Sequence, residues 1–391
     1  MNLIDDVTAS LAERVRIAAA AHTPLRIRGG GSKDFYGQAL EGELLHTGAL
    51  NGVVSYEPSE LVVTALAGTP LADVEALLAA QGQCFAFEPP HFGPGSTVGG
   101  MVASGLAGPA RASVGGVRDY VLGVKFINGK GEHLTFGGQV MKNVAGYDVS
   151  RLMAGSMGTL GLLTEISLKV LPVATAEATL RFDCTQAQAL NWLNAWGGQP
   201  LPLNASCWVC EDAAATPGAD NQGAVGQLYL RLRGALAAVE SACVTLAASA
   251  GGQRMDTAQA AAQAASDWQA LRNQQLQWFS RRSAGQDLWR LSVPQTAAPL
   301  SLPAGVAAPL VEWHGGLRWV AAAPEHAAAL RAAAQTAGGH ATLFIANNSI
   351  KTVTNARFDA LKPPLDRISR DLKHQFDPAG ILNPHRLNTA W

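Results

Sequence analysis

Charge is scarce in this chain: Asp, Glu, Lys and Arg make up 15% of its 391 residues, against 48% hydrophobic, and the formal net charge is −1. So small a net charge excludes the basic field of a nucleic-acid binder and a basic membrane-surface patch. A surface this lean in charge fits either a face covered by a partner or a plain alanine-rich composition. Long apolar runs are also missing, and none reaches the length that spans a bilayer. The opening residues, MNLIDDVTASLAERV, place acids where a secretory leader is basic, so the cytoplasm is the expected location. The five cysteines show no iron–sulfur spacing. Cys207 and Cys210 form a CxxC pair, but inside the alternating segment SCWVC they read as a strand rather than a redox or metal site. Tryptophan is absent from the first 191 residues and all nine follow, so the character of the chain changes, with a boundary placed near Pro172.

What the first half has instead is glycine. Residues 93–116 hold eight of the chain's 41 glycines in 24 positions, interleaved with Ser96, Thr97, Val98, Met101 and Val102. Glycine admits positive φ and close backbone approach, so this stretch reads as a loop that wraps its N–H groups around an anion or a flat ring. Upstream, the alternating PLRIR segment runs into Gly29, Gly30, Gly31, Ser32 and Lys33, a phosphate-cradling arrangement to which Lys33 or Arg28 adds charge. Neither the Walker nor the Rossmann pattern follows. A further loop is expected over residues 155–161. Thr8 reads as the cap of a first helix over residues 8–21, and Asn128-Gly129-Lys130-Gly131 as the turn of a hairpin. Asp256, with Gln259 in a capping box, reads as the start of a long helix over residues 256–280 whose Trp268, Trp278 and Phe279 are core or a subunit contact. Helices and mixed strands alternate without a βαβ rhythm, which predicts an α+β fold.

Four motifs in order, RGGGS, PGSTVGGMVASGLAG, VRDYVLGVKFINGKG and KNVAGYDVSRLMAGSMGTLGLLTEISLKVLP, resemble the FAD-binding domain of the vanillyl-alcohol oxidase and p-cresol methylhydroxylase (PCMH) type. The tail FDPAGILNPHRLN resembles that family's C-terminal signature, and MKNVAGYD with GLAG resembles, more closely, the FAD-binding E subunit of bacterial glycolate oxidase. The resemblance implies a PCMH-type two-subdomain FAD-binding domain over residues 1–172, a smaller α+β cap domain over 173–360, and a return to the flavin domain over 361–391. It implies oxidation of glycolate, a small 2-hydroxy acid, to glyoxylate, in a complex with a catalytic flavoprotein subunit and an iron–sulfur subunit. Carried over by position, Arg28, Gly29, Gly30, Gly31 and Ser32 form the first pyrophosphate loop, and Pro94, Gly95, Ser96, Gly99 and Gly100 the second. Ser104, Gly105 and Gly108 lie along the ribose-to-isoalloxazine path; Gly158, Gly161 and Ile166 border the adenine.

Two departures shape the expected chemistry. Covalent flavin attachment in this family uses a histidine in the first glycine loop, where this chain has Gly31 and Ser32, so non-covalent FAD is expected. Single-subunit relatives acting on 2-hydroxy acids carry an EHG motif and a His-rich metal segment; here the regions read EWHGGLRWV and TLFIANNSIKTV, leaving only His314, and no metal site is expected. A carboxylate substrate calls for a cation, and Arg318, Arg386 and Lys142 are the catalytic candidates, with Arg111 in the main loop and His314 and His385 as candidate bases. An enzyme subunit inactive without its partners is one reading; a flavin-bearing or flavin-empty scaffold for a catalytic paralogue is the other.

Overall fold

The computed structural model describes residues 3–138, 147–210, 223–347 and 356–390. The chain forms two compact units, one of Met1–Ala107, Gly115–Val173 and Ala360–Trp391, the other of Gly108–Val114 and Ala174–Asp359. Helices and mixed sheets make both units, so the α+β class holds.

The first unit opens with the helix Leu3–Ala21, which buries Leu11, Ala12, Val15 and Ala18 at three- and four-residue spacing. It begins well before the cap expected at Thr8. Asp5 and Asp6 occupy the first turn, where they complement the helix dipole, and the Thr8 hydroxyl donates to the Ile4 carbonyl (2.8 Å) from within the helix. Strands Leu25–Arg28 and Glu43–His46 then pair in parallel. The C-terminal tail extends this small sheet: Leu25 N donates to Ile381 O (2.7 Å) and Asn383 N to Leu25 O (2.9 Å). A second sheet of five antiparallel strands runs in the order Val53–Glu57, Val62–Leu66, Leu162–Lys169, Val121–Ile127, His133–Gly137. Its apolar face packs against the helices Leu71–Ala79 and Val98–Ser104 through Val63, Ala65, Leu78, Met101 and Ile166. The expected hairpin turn is present, held by Asn128 Oδ1 accepting from the N–H groups of Lys130 (2.9 Å) and Glu132 (3.0 Å).

The second unit is built on an eight-stranded sheet in which every paired neighbour is antiparallel. Its order is Gln253–Arg254, Ala176–Thr185, Val225–Gly234, Leu203–Val209, Leu310–Glu312, Leu317–Ala322, Asp287–Ser292, His340–Ile345. Period-two alternation decides the faces. Leu180, Phe182, Trp208, Leu228 and Leu230 pack under helices Gln186–Gly197 and Leu236–Ala250. Thr179, on the opposite face, accepts from Trp268 Nε1 (3.0 Å) of the helix Ala258–Arg272. Cys207 lies inside the strand Leu203–Val209, a buried free thiol whose ionisation burial pushes well up, as a core strand demands. The long helix expected from Asp256 starts one residue later, capped by Thr257, whose hydroxyl accepts from Ala260 N (3.2 Å). It also stops early: Gln274 adopts φ +55°, and a separate turn, Gln277–Ser280, carries Trp278 and the buried Phe279.

Candidate functional site

In the first unit the two glycine loops meet backbone to backbone. The position of a Cβ on Gly30 lies 1.5 Å from the Gly95 carbonyl oxygen, and one on Gly29 lies 2.6 Å from Thr97 Oγ1, so no side chain fits at either place. Gly31 has φ +75°, the left-handed region that side chains avoid. Lys33 ties the loops together from the side: its Nζ donates to Ser96 Oγ (2.9 Å), Ser32 Oγ (3.3 Å) and His91 O (3.3 Å) and stands 5.8 Å from the centre of the Phe92 ring. Arg28 donates from Nε to Asp34 (2.7 Å). The result is an open cleft of about 530 Å³, solvent included, lined by Arg28, the three glycines, Ser32, Lys33, Thr97, Gly100 and Ser104.

The helix Val98–Ser104 sets the floor of the cleft. Thr97 caps it by accepting from Gly100 N (3.1 Å), and Gly99 faces the strand before it, where a Cβ would meet Ala67 Cβ at 2.7 Å. Gly99 thus serves packing while Gly100 faces the cleft. Ser104 is buried and donates to Met101 O (3.0 Å); Gly105, at φ +65°, ends the helix. Met157 and Asn383, which sequence reasoning missed, also line it. Asn383 accepts from Ile27 N (2.7 Å) and donates to Met157 O (2.7 Å), so the tail residue fastens the first glycine strand to the third glycine loop. The only signal for it was the tail motif as a whole.

Of the other expected site residues, Arg386 lines this cleft, while Pro94, Gly158, Gly161 and Ile166 do not. Pro94 is exposed beside the loops; Gly158 packs on Asn383, Gly161 on Phe126, and Ile166 is fully buried in the sheet core. Gly108 groups with the second unit, where its carbonyl accepts from Trp313 Nε1 (3.0 Å). Arg386 and Arg318 both donate to backbone carbonyls. The buried Arg386 donates to the carbonyls of Gln38, Lys33 (3.3 Å) and Asp34 (3.1 Å), which makes it a brace for the loop that carries Lys33. Arg318 is fully buried, donates to the carbonyls of Gly315 and Ala297 (3.2 Å), and is lowered to about 9 by burial. Lys142 and most of the KNVAGYD motif lie outside the described residues, as does much of TLFIANNSIKTV.

His314 sits in the second unit between two hydroxyls, Ser206 Oγ (3.0 Å from Nδ1) and Ser113 Oγ (2.9 Å from Nε2), and burial lowers it to about 4, so the ring is neutral at pH 7. Among the described residues no cluster of three or more His, Cys, Asp or Glu is placed to hold a metal ion, and no helix is long and apolar enough to cross a membrane.

Residues 6–137 match a family described as an FAD binding domain. Over 382 residues the chain is 43% identical to the glycolate oxidase subunit GlcE of Escherichia coli strain K12, covering 98% of this chain and 97% of that protein. A D-lactate dehydrogenase of Archaeoglobus fulgidus is 30% identical over 194 residues, 48% of this chain and 43% of its own. Among solved structures, 4-ethylphenol oxidase from Gulosibacter chungangensis superposes with a TM-score of 0.65 at 15% identity, over 97% of this chain and 87% of that one. An alkyldihydroxyacetonephosphate synthase gives 0.65 at 16% identity, over 96% and 75%. These two likenesses establish the fold.

Proposed function

The chain belongs to the FAD-binding flavoprotein family of the Escherichia coli glycolate oxidase subunit GlcE, and from that membership we propose that it is the flavin-bearing subunit of a glycolate-oxidising dehydrogenase complex. In this reading it works beside a second flavoprotein subunit and an iron–sulfur subunit, glycolate is oxidised to glyoxylate, and the chain alone does not turn over. FAD, when bound, supplies the two-electron acceptor for the C–H and O–H hydrogens of the alcohol carbon. The chain's own part is to hold it. Arg28 and the N–H groups around Gly29, Gly30, Gly31 and Ser32 would hold the pyrophosphate, Lys33 would add the countercharge, and Thr97, Gly100 and Ser104 would border the remainder. Attachment is non-covalent: the first loop offers glycine and serine where a tether needs histidine, and His91 close by is held through Nε2 by Glu75 (2.8 Å).

The observation that carries this reading is the backbone contact of Gly30 with Gly95, which leaves a side-chain-free cradle beside a lysine. The test is glycolate-dependent dye reduction by the purified chain alone and by the chain with its co-expressed partner subunits. Turnover is expected only in the complex. Robust turnover by the isolated chain contradicts the need for partners, and a complex in which this chain is folded but holds no flavin supports the scaffold alternative.

A further inference from the structure

The helix Ala258–Arg272 buries Ala264, Trp268 and Leu271 at four- and three-residue spacing, towards the sheet face that carries Thr179, Cys207 and Tyr229. Ala264 is the small member of that row, and the space beside its methyl is left open. A cavity of about 200 Å³ lies there, lined also by Val209, Asp267 and Trp278. After the helix, left-handed Gln274 (φ 55°) turns the chain into the short helix Gln277–Ser280, which carries Trp278. The aromatic walls are held from outside the cavity. Trp268 Nε1 donates to Thr179 Oγ1 (3.0 Å) and Tyr229 Oη to Gln227 Oε1 (2.8 Å). Trp278 meets the buried Phe279 edge to face at 5.1 Å, and Phe279 meets Trp319 in the same way at 5.6 Å. All these residues belong to the second unit.

Protein interiors leave few gaps larger than a water molecule, and an apolar cavity of about 150 Å³ takes up benzene. One substituted ring is therefore the size of ligand this space admits. Its charge decides the class. Among the described residues the lining holds no lysine, arginine or histidine, and Asp267 is its one acid. Asp267 makes no ion pair among them and accepts one hydrogen bond, from Gln263 Nε2 (2.9 Å). Its charge reaches the cavity: after burial and Glu312, it helps raise the ionisation of the Cys207 thiol, which stays neutral. A positive charge stands near as well, since Arg231 Cζ is 4.9 Å from the centre of the Trp268 ring. With one charge of each sign beside it the cavity has no net pull on an ion, and moving an ion from water to apolar walls is costly. We propose that this cavity is a binding site for a neutral, single-ring aromatic molecule that carries an N–H donor for Asp267. A 2-hydroxy acid, being an anion, is disfavoured by the same walls, so this ligand is separate from the substrate proposed above.

The test uses the full chain with its flavin and three probes of nearly one shape: neutral benzamide, anionic benzoate and cationic benzamidine, titrated by calorimetry at pH 7. Saturable binding of benzamide is expected, with the two ions at least tenfold weaker. Filling the cavity by Ala264→Leu or by Val209→Phe should weaken benzamide at least tenfold with flavin content retained; whichever variant folds carries that arm, and the comparison of the three probes needs neither. Asp267→Asn should narrow the preference for benzamide over benzoate at least threefold. No saturable binding of benzamide, benzoate or benzamidine binding as tightly, or unchanged affinity in a folded cavity-filling variant overturns the site; an unchanged preference in Asp267→Asn overturns the part given to Asp267.

Discussion

The two units are built from opposite materials. In the first, the cleft is made of backbone: glycines that admit no Cβ, one lysine, and a tail asparagine that staples three loop segments. In the second, eight of the nine tryptophans, from Trp192 to Trp319, supply rings to the structure, and Arg111 and Arg290 both lie over one of them, Trp313. A backbone cradle suits a ligand whose recognisable part is a pyrophosphate, since N–H donors cost no side-chain entropy to place. The difference also predicts tolerance: the cradle fails at the addition of a methyl group, whereas the aromatic unit is indifferent to that change.

The comparison breaks most completely at Gly30. Even Gly30→Ala places a methyl against the Gly95 carbonyl, so the purified variant should carry no FAD, while its tryptophan emission, to which the second unit contributes eight of the nine rings, stays native. Stoichiometric flavin in that variant would falsify the cradle. Next in size is Lys373→Met. The buried Lys373 ammonium donates to Asp377 Oδ2 (2.6 Å), Thr159 O (2.9 Å) and Leu382 O (2.8 Å), and its loss leaves a buried carboxylate without its countercharge. A loss of roughly 3–5 kcal/mol is expected, seen as flavin release at a lower temperature; the tryptophan transition should move less. The smallest effect belongs to His314. Its folded value, about 4, lies below the ordinary 6.5, so the unfolded chain takes up a proton that the folded one refuses. That contribution is complete above pH 6.5 and is lost as pH falls toward 4, by about 2 kcal/mol between pH 7 and pH 5. His314→Asn, which tolerates the left-handed backbone, should flatten that slope in urea unfolding monitored at the two pH values. An unchanged slope would mean the imidazole titrates normally.

The cradle was legible in the sequence because glycine is informative by itself: a residue without a side chain, repeated in RGGGS and in residues 93–116, has few uses other than close approach. The hairpin at Asn128 and the strand nature of SCWVC were legible for the same local reason, turn chemistry and period-two alternation. What failed to show was anything decided by residues far apart. Asn383 joins Ile27 and Met157 across more than 200 positions, and no local pattern announces it. Arg318 and Arg386 look like free charges in a string of letters, yet both are buried against backbone carbonyls. Arg290 passed unnoticed because its meaning lies in a shared ring with Arg111, 179 positions earlier. Helix starts slipped for a smaller reason, since Thr8 bonds back into its own helix and Thr257 outcompetes its neighbour Asp256 as cap.

The most direct measurement is the flavin spectrum of the purified full chain, followed by acid precipitation. One FAD per chain, released entirely into the supernatant, is the expected result for a backbone cradle without a tether. A folded chain with no flavin band, or flavin that stays with the pellet, would contradict it.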